Sequence, residues 1–379
     1  MRIGILTYHK SRSCGALLQA CALKVFLRAR GHAVFFPDCN SVGDERPHFP
    51  YRRLSMANFW DGLKSLVWYV GVEMFALGFE DVRWLRFRRF IKNHLADGKQ
   101  GQRADLSKYD CLVFGSDQIW NPDISGADTT LFLGESVEAG VRKIAYAASA
   151  GDKELTGEYK IRLKKAVSKF DALSVREWVK GVDLLDIHGR LPVHVIDPTF
   201  LVQKEVFAEF ECKRRLKSDR FLFLYVVNYC PRAFDIAERL SLRLGLGLVA
   251  VDSCQRGLWR SKLYEDKAAS PDRFLAYIRD AECVVTNSYH GVAFSLIYNK
   301  QFVALPSAVS AQKSIRTGAL LERFALTERL VDLDAPEDDL VAMMDKRLPT
   351  DLEERIRDVA KSSVLWLDRV LLDASAPIK

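Results

Sequence analysis

The run VVTNSYHGVAF (284–294) ends one apolar stretch and begins another, with His290 at the junction. A strand that passes through a polar turn into a helix sets such a histidine beside the positive end of that helix. The helix end alone favours a neutral imidazole. A bound phosphate or carboxylate reverses the preference and protonates the ring. A histidine charged by its own substrate suits a general acid, although a lone histidine is more often structural. Asn287 and Ser288 share the turn, and Lys313 and Arg316, in SAQKSIRTGALLERF (310–324), stand near the next helix start. Together they can hold a small anion.

A second group follows the apolar run CLVF, in GSDQIWNP (115–122). Asp117 can take a proton from a sugar hydroxyl, or it can simply cap the next turn. Gln118, Trp120 and Asn121 are residue types that hold a sugar ring by stacking and hydrogen bonding. Arg176, after ALSV, can clamp a carboxylate or phosphate, or pair with a neighbouring acid. Tyr8 follows the first apolar run, just before a helix start at Cys14-Gly15. A helix N-terminus at a strand end is an anion site in type. The spacing there fits neither a P-loop nor a GxGxxG fingerprint, so no nucleotide phosphate is signalled.

These positions share one property: each follows a short apolar run. Strands are expected at 2–8, 33–39, 111–116, 143–149, 172–177 and 193–198, then at 221–229, 246–252, 282–288 and 302–306. Helical patterns lie between them at 14–30, 154–170, 231–244, 271–280, 291–299 and 314–325, with a last amphipathic helix over about 351–374. Ser270-Pro271 is a helix start, and Gly31 a helix stop. The alternation predicts an α/β protein of two Rossmann-like domains facing across a cleft. The first is expected at 1–200 and the second at 201–350. The segment 351–379 is a terminal helix that packs back on the first domain. Residues 199–220 read as a charged connector. Ligands of open α/β sheets bind at the carboxyl ends of the strands, where the candidates lie.

Residues 44–100 break the rhythm with an aromatic-rich helical insertion containing Trp60, Trp68, Trp84, Phe87 and Phe90. It is a subdomain with its own apolar seam or a patch resting on a membrane interface. The 379 residues are 49% apolar and 28% charged, as in a folded protein, and the net charge is +7. Part of the excess lies in RWLRFRRFIKNH (83–94), read first as a solvated helix face. No nucleic-acid-binding motif accompanies it, so nucleic acid is not an expected partner. No signal peptide or membrane-spanning run is recognised, so a cytoplasmic protein is expected, peripheral at most to the membrane. The eight cysteines form no CxxC pair and read as buried thiols, and no metal site is expected.

Taken in order, GSDQIWNP, KIAYAAS, LSVRE, VIDPTFL and SPDRFLAYIRDAECVVTNSYHGVAFSLIYNKQF, with the opening GILTYHKSRSCGALLQACAL, resemble the polysaccharide pyruvyl transferases. The resemblance runs from residue 1 to about residue 330. It implies a GT-B-like fold, phosphoenolpyruvate as co-substrate without any further cofactor, and a sugar of a lipid-linked or growing glycan as acceptor. It implies a pyruvate ketal as product. The family's essential histidine falls on His290, and its arginine after the SV strand on Arg176. Many members carry arginine two positions before the histidine. Here Ser288 stands there, so the anion clamp would fall to Arg176, Lys313 and Arg316. On this reading His290 is the acid and Asp117 the base. A glycosyltransferase using a nucleotide sugar and a non-catalytic glycan-binding protein are the alternatives.

Overall fold

The computed structural model describes residues 1–38, 82–96, 104–138, 140–152, 155–178, 191–217, 219–227, 230–252, 264–266, 268–306 and 314–372. Most of the expected insertion over 44–100 lies outside these residues, as does Lys313.

Unbroken apolar runs form buried parallel strands, as both faces of such a sheet are covered by helices. The first sheet holds β1 (Arg2–Leu6), β2 (Ala33–Phe35), β3 (Cys111–Phe114), β4 (Arg142–Ala148), β5 (Ala172–Val175) and β6 (Val193–His194). Its order is β2-β1-β3-β4-β5-β6, and every pair is parallel. The second sheet holds β7 (Phe221–Val226), β8 (Gly247–Asp252), β9 (Tyr264–Glu265), β10 (Cys283–Thr286) and β11 (Gln301–Ala304). Its order is β11-β10-β7-β8-β9, again all parallel. The chain reverses direction across the sheet between β1 and β3 in one half, and between β7 and β10 in the other. The loops after β1, β3 and β10 therefore leave from topological switch points, where α/β sheets open a crevice. They carry Tyr8, Asp117 and His290.

Two helices lie between the halves. In α1 (Cys14–Arg28), capped by Ser13, even Gln19 and Lys24 are buried. In α9 (Tyr289–Ile297) every residue is buried. A helix covered on all sides is internal rather than amphipathic. Helix α1 touches α8 (Pro271–Asp280) of the second half. One apolar cluster runs from Ile3 and Leu17 of the first half to Phe274 and Phe294 of the second. Helix α8 starts at Ser270-Pro271, where the sequence marks a start.

The expected strand 193–198 stops after two residues. Asp197 and Pro198 instead open a short 3₁₀ turn (Pro198–Phe200), because the Asp197 carboxylate accepts from the Thr199 amide at 3.0 Å. The charged connector contains two anchors, Phe207 and Phe210, both buried beneath exposed Lys204, Glu205 and Glu209. The helix over 82–94, α2, buries Phe87 and Phe90 and exposes Arg88, Arg89 and Lys92. Its basic face is thus exposed. Among the described residues no helix is long and apolar enough to cross a membrane.

The last helix, α12 (Leu352–Leu372), returns to the first half. Ser363 Oγ accepts from the Ile196 amide at 2.9 Å, Asp368 pairs with Arg30, and the Val370 carbonyl accepts from Arg142 at 2.9 Å. Leu367 is fully buried there. Leu367→Ala should cost about 2–5 kcal/mol, read as a lower urea midpoint. An unchanged midpoint would mean that α12 is not part of the fold's support.

Candidate active site

The charged side chains of Arg176, Glu177 and Asp197 meet His290 where the two halves touch. Arg176 and Glu177 leave the end of β5, Asp197 follows β6, and His290 opens α9. Arg176 Nη1 donates to Asp197 Oδ2 at 3.1 Å and Nε to Glu177 Oε2 at 3.1 Å. The Tyr289 ring covers the guanidinium at 4.3 Å. Ser116 Oγ also donates to Asp197 Oδ2, at 3.0 Å, and His290 Nε2 lies 3.6 Å from that oxygen. The other oxygen, Oδ1, accepts from the amide and hydroxyl of Thr199. Ser149 Oγ donates to Glu177 Oε1.

Electrostatics follow from this packing. Burial pushes the Asp197 carboxyl up, but His290, Arg176 and the Thr199 amide outweigh it and hold the group well below the usual carboxylate range. Burial also acts on Glu177 and there prevails, raising it despite Arg176, Arg316 and Ser149. Arg176 stays charged: burial opposes the charge, and Glu177, Tyr289 and Asp197 restore it. Two nitrogens are left over. Arg176 Nη2 and His290 Nε2 are buried and have no hydrogen-bond partner. A buried donor without a partner costs about 1–3 kcal/mol, which a ligand bonded to it would recover.

Two glycines permit the arrangement. A Cβ on Gly15, at the start of α1, would fall 2.2 Å from His290 Nδ1. A Cβ on Gly291 would fall 2.2 Å from Thr286 Oγ1, which donates to the Tyr225 carbonyl at 2.7 Å. The first lets the halves close on the imidazole, and the second lets α9 start directly off β10.

The remaining candidates are distributed as follows. Arg176 cannot act as the expected two-pronged clamp, because Nε and Nη1 already hold carboxylates; only Nη2 is spare. Arg316 is likewise engaged. Its side chain donates to Asp152 Oδ2 from Nε at 3.1 Å and Nη2 at 3.0 Å, and its amide donates to Oδ1. Asp152 belongs to the first half, so this pair latches the halves together. Ser288 Oγ accepts from the Gly291 amide at 3.3 Å as the cap of α9, which leaves its O–H to donate. Asn287 Oδ1 accepts from the Val227 amide at 2.9 Å. Trp120 is fully buried in the core of the first half, which removes it as a surface for stacking a sugar. Asn121 caps the short helix Pro122–Ser125 and donates to Gln118 Oε1 at 3.1 Å. Tyr8 is buried and donates to the Gln118 carbonyl at 3.2 Å. Asp117 holds a left-handed φ of 85°, accepts from its neighbour's amide at 2.8 Å and bears electrostatically on Arg176 and Tyr8. A non-glycine residue kept in that region is strained, a feature that collects at functional sites.

Asp197 is the residue that sequence reasoning passes over. Its motif, DPTF, has the form of an ordinary helix cap, and it does cap; the second oxygen of the same carboxylate serves the cluster. Among the described residues no group of His, Cys, Asp and Glu is arranged to hold a metal ion.

Residues 14–308 match the family model for polysaccharide pyruvyl transferase. A comparison with curated proteins finds no match. Among solved structures, the chain is similar to UDP-N-acetylglucosamine 2-epimerase from Rickettsia bellii, at a TM-score of 0.48 and 10% identity over 98% of this chain and 95% of that one. It is similar to UDP-GlcNAc 2-epimerase from Methanocaldococcus jannaschii, at 0.48 and 10% over 98% and 99%. Acinetobacter baumannii MurG scores 0.40 at 10% identity over 98% of each chain.

Asp197→Asn tests the cluster. A carboxyl held low in the folded state contributes stability above its unfolded value near 3.9, and that stability is lost as pH falls through the lower folded value. The variant should be less stable at pH 7, by about 3–5 kcal/mol for a broken buried pair. Its stability should also fall less steeply than the parent's as the pH drops below about 4. Urea titrations at a series of pH values give both quantities; parallel curves would contradict the assigned ionisation.

Proposed function

Because the chain belongs to the polysaccharide pyruvyl transferase family, we propose that it transfers the pyruvyl group of phosphoenolpyruvate to a sugar of a lipid-linked or growing glycan. The product is a pyruvate ketal, and phosphate is released. The observation that supports this reading is the buried cluster in which Arg176 Nη1 and His290 Nε2 both face Asp197 Oδ2, at 3.1 Å and 3.6 Å, while Arg176 Nη2 is left without a hydrogen bond.

The chemistry needs a proton on the enol carbon, one sugar hydroxyl added to the neighbouring carbon, loss of phosphate and addition of a second hydroxyl. Of the two hydroxyl protons, one ends on the new methyl group and the other on the phosphate. His290 is assigned the delivery of the first proton. The carboxylate of Asp197, 3.6 Å from Nε2, stabilises the imidazolium that must precede that step. Arg176 Nη2 and the protonated ring supply donors for an anionic oxygen of phosphoenolpyruvate, in a buried setting where such bonds are strongest. Asp117, after β3 and next to Ser116 in the chain, is assigned the hydroxyl proton.

The His290 side chain is 10% exposed, so binding the donor has to displace what covers it. Helix α1 at Gly15 is one such cover, since a Cβ there would fall 2.2 Å from Nδ1. The reaction would run in the cytoplasm, where the lipid-linked acceptor meets the enzyme at the membrane face.

The test is incubation of the protein with phosphoenolpyruvate and a panel of lipid-linked sugars, scored by released phosphate and by pyruvylated glycan. His290→Ala should lower turnover about 10²–10⁴-fold. Near-native turnover in that variant would remove His290 from the role of acid.

A further inference from the structure

A cavity of about 450 Å³ opens next to the cluster, between the end of the first sheet and α10 (Ile315–Arg323). That is within the usual range for small-molecule sites, about 300–1,000 Å³. Trp178 and His194 line it from the first half, and Ile315, Ala319, Glu322 and Arg323 from the second. Trp178 is 41% exposed and Ile315 43%. Two large apolar side chains left open to one cavity differ from the scattered exposed residues normal on a surface.

The cavity adjoins the reacting groups through short links. Trp178 follows Arg176 and Glu177 directly in the chain. His194 Nε2 donates to the Arg176 carbonyl at 2.8 Å, and Arg323 Nη2 reaches the His194 carbonyl at 3.4 Å. Arg323 forms no ion pair among the described residues, while its charge bears on Tyr146 and Tyr289. Burial, with Arg323 beside it, holds His194 below its ordinary value. The ring is therefore neutral, and the bond from Nε2 places its one proton there, leaving Nδ1 to accept.

We infer that this cavity is the acceptor-sugar subsite, with a pyranose ring lying on Trp178 against Ile315. The inference rests on the transferase reading for the word acceptor, and on the cavity for the sugar. A pyranose offers an apolar C–H face to an indole and a rim of hydroxyls. Here the rim would meet an acceptor on His194, an acceptor on Glu322 and donors on Arg323. An aromatic platform with a few polar groups around it is the arrangement that fixes such a ligand. The sequence suggests a different tryptophan for this task, Trp120, and that one is buried in the core.

The experiment uses the full chain labelled with 5-fluorotryptophan, whose seven tryptophans give seven ¹⁹F resonances. Trp178→Phe identifies the Trp178 line and, by leaving the other six unmoved, shows that the fold is kept. Methyl glycosides of glucose, galactose, N-acetylglucosamine and N-acetylmannosamine are then titrated with and without phosphoenolpyruvate. The Trp178 line should move with at least one of them. In turnover, Trp178→Ala should raise KM for the acceptor about tenfold, the worth of a stacked ring, and leave KM for phosphoenolpyruvate within about twofold. A Trp178 line that no sugar moves overturns the subsite, and so does turnover with an unchanged acceptor KM. A sugar-dependent shift without phosphate release from phosphoenolpyruvate supports the subsite and overturns the transferase reading instead.

Discussion

A carboxylate with no access to water is the constraint around which this protein is assembled. Burying an ionised group is costly unless every lone pair has a partner and a countercharge lies close. Asp197 meets both conditions with groups from distant parts of the chain: Ser116 after β3, Arg176 after β5, Thr199 in its own turn and His290 across the seam. The ends of three strands and one helix must be placed together for that carboxylate to remain charged. The same requirement explains the exact glycine at residue 15, since the imidazole cannot approach without the space it leaves.

The strands were legible because a doubly covered parallel strand needs no alternation and appears as an uninterrupted apolar run. CLVF, ALSV and FLFLYV all lie where such runs predict. The helix starts at Ser270-Pro271 and around His290 were legible through their caps. The short helix Lys204–Phe207 was not, because its charged residues outnumber the one phenylalanine that anchors it. In the site, His290 and Arg176 could be found from their places at strand ends. What they bind could not, since a cation after a strand looks the same whether it awaits a ligand or already holds two acids. Asp197 was hidden by its resemblance to a cap. The two tryptophans show the same limit: type and position after a strand do not distinguish Trp120, whose side chain turns into the core, from Trp178, whose side chain stays in the open.

The seam between the halves is both apolar and ionic. Helices α1, α8 and α9 share one hydrophobic cluster, while Asp152 and Arg316 add a charged pair between the halves. The apolar part holds the halves in a fixed relation, and the ionic part contributes little free energy but sets orientation. Closely packed interiors shift between discrete arrangements rather than yielding smoothly. A ligand that reaches His290 would then select a second arrangement of the seam, not a gradual widening.

The return of α12 to the first half has a mechanical consequence. The backbone passes from one sheet to the other after β6 and comes back before α12, so the halves are tied at two places. Two bodies joined by a single tether can swivel freely; joined by two, they are left mainly with a bend about the line connecting the ties. The two halves would thus move as a jaw, with α12 travelling as part of the first.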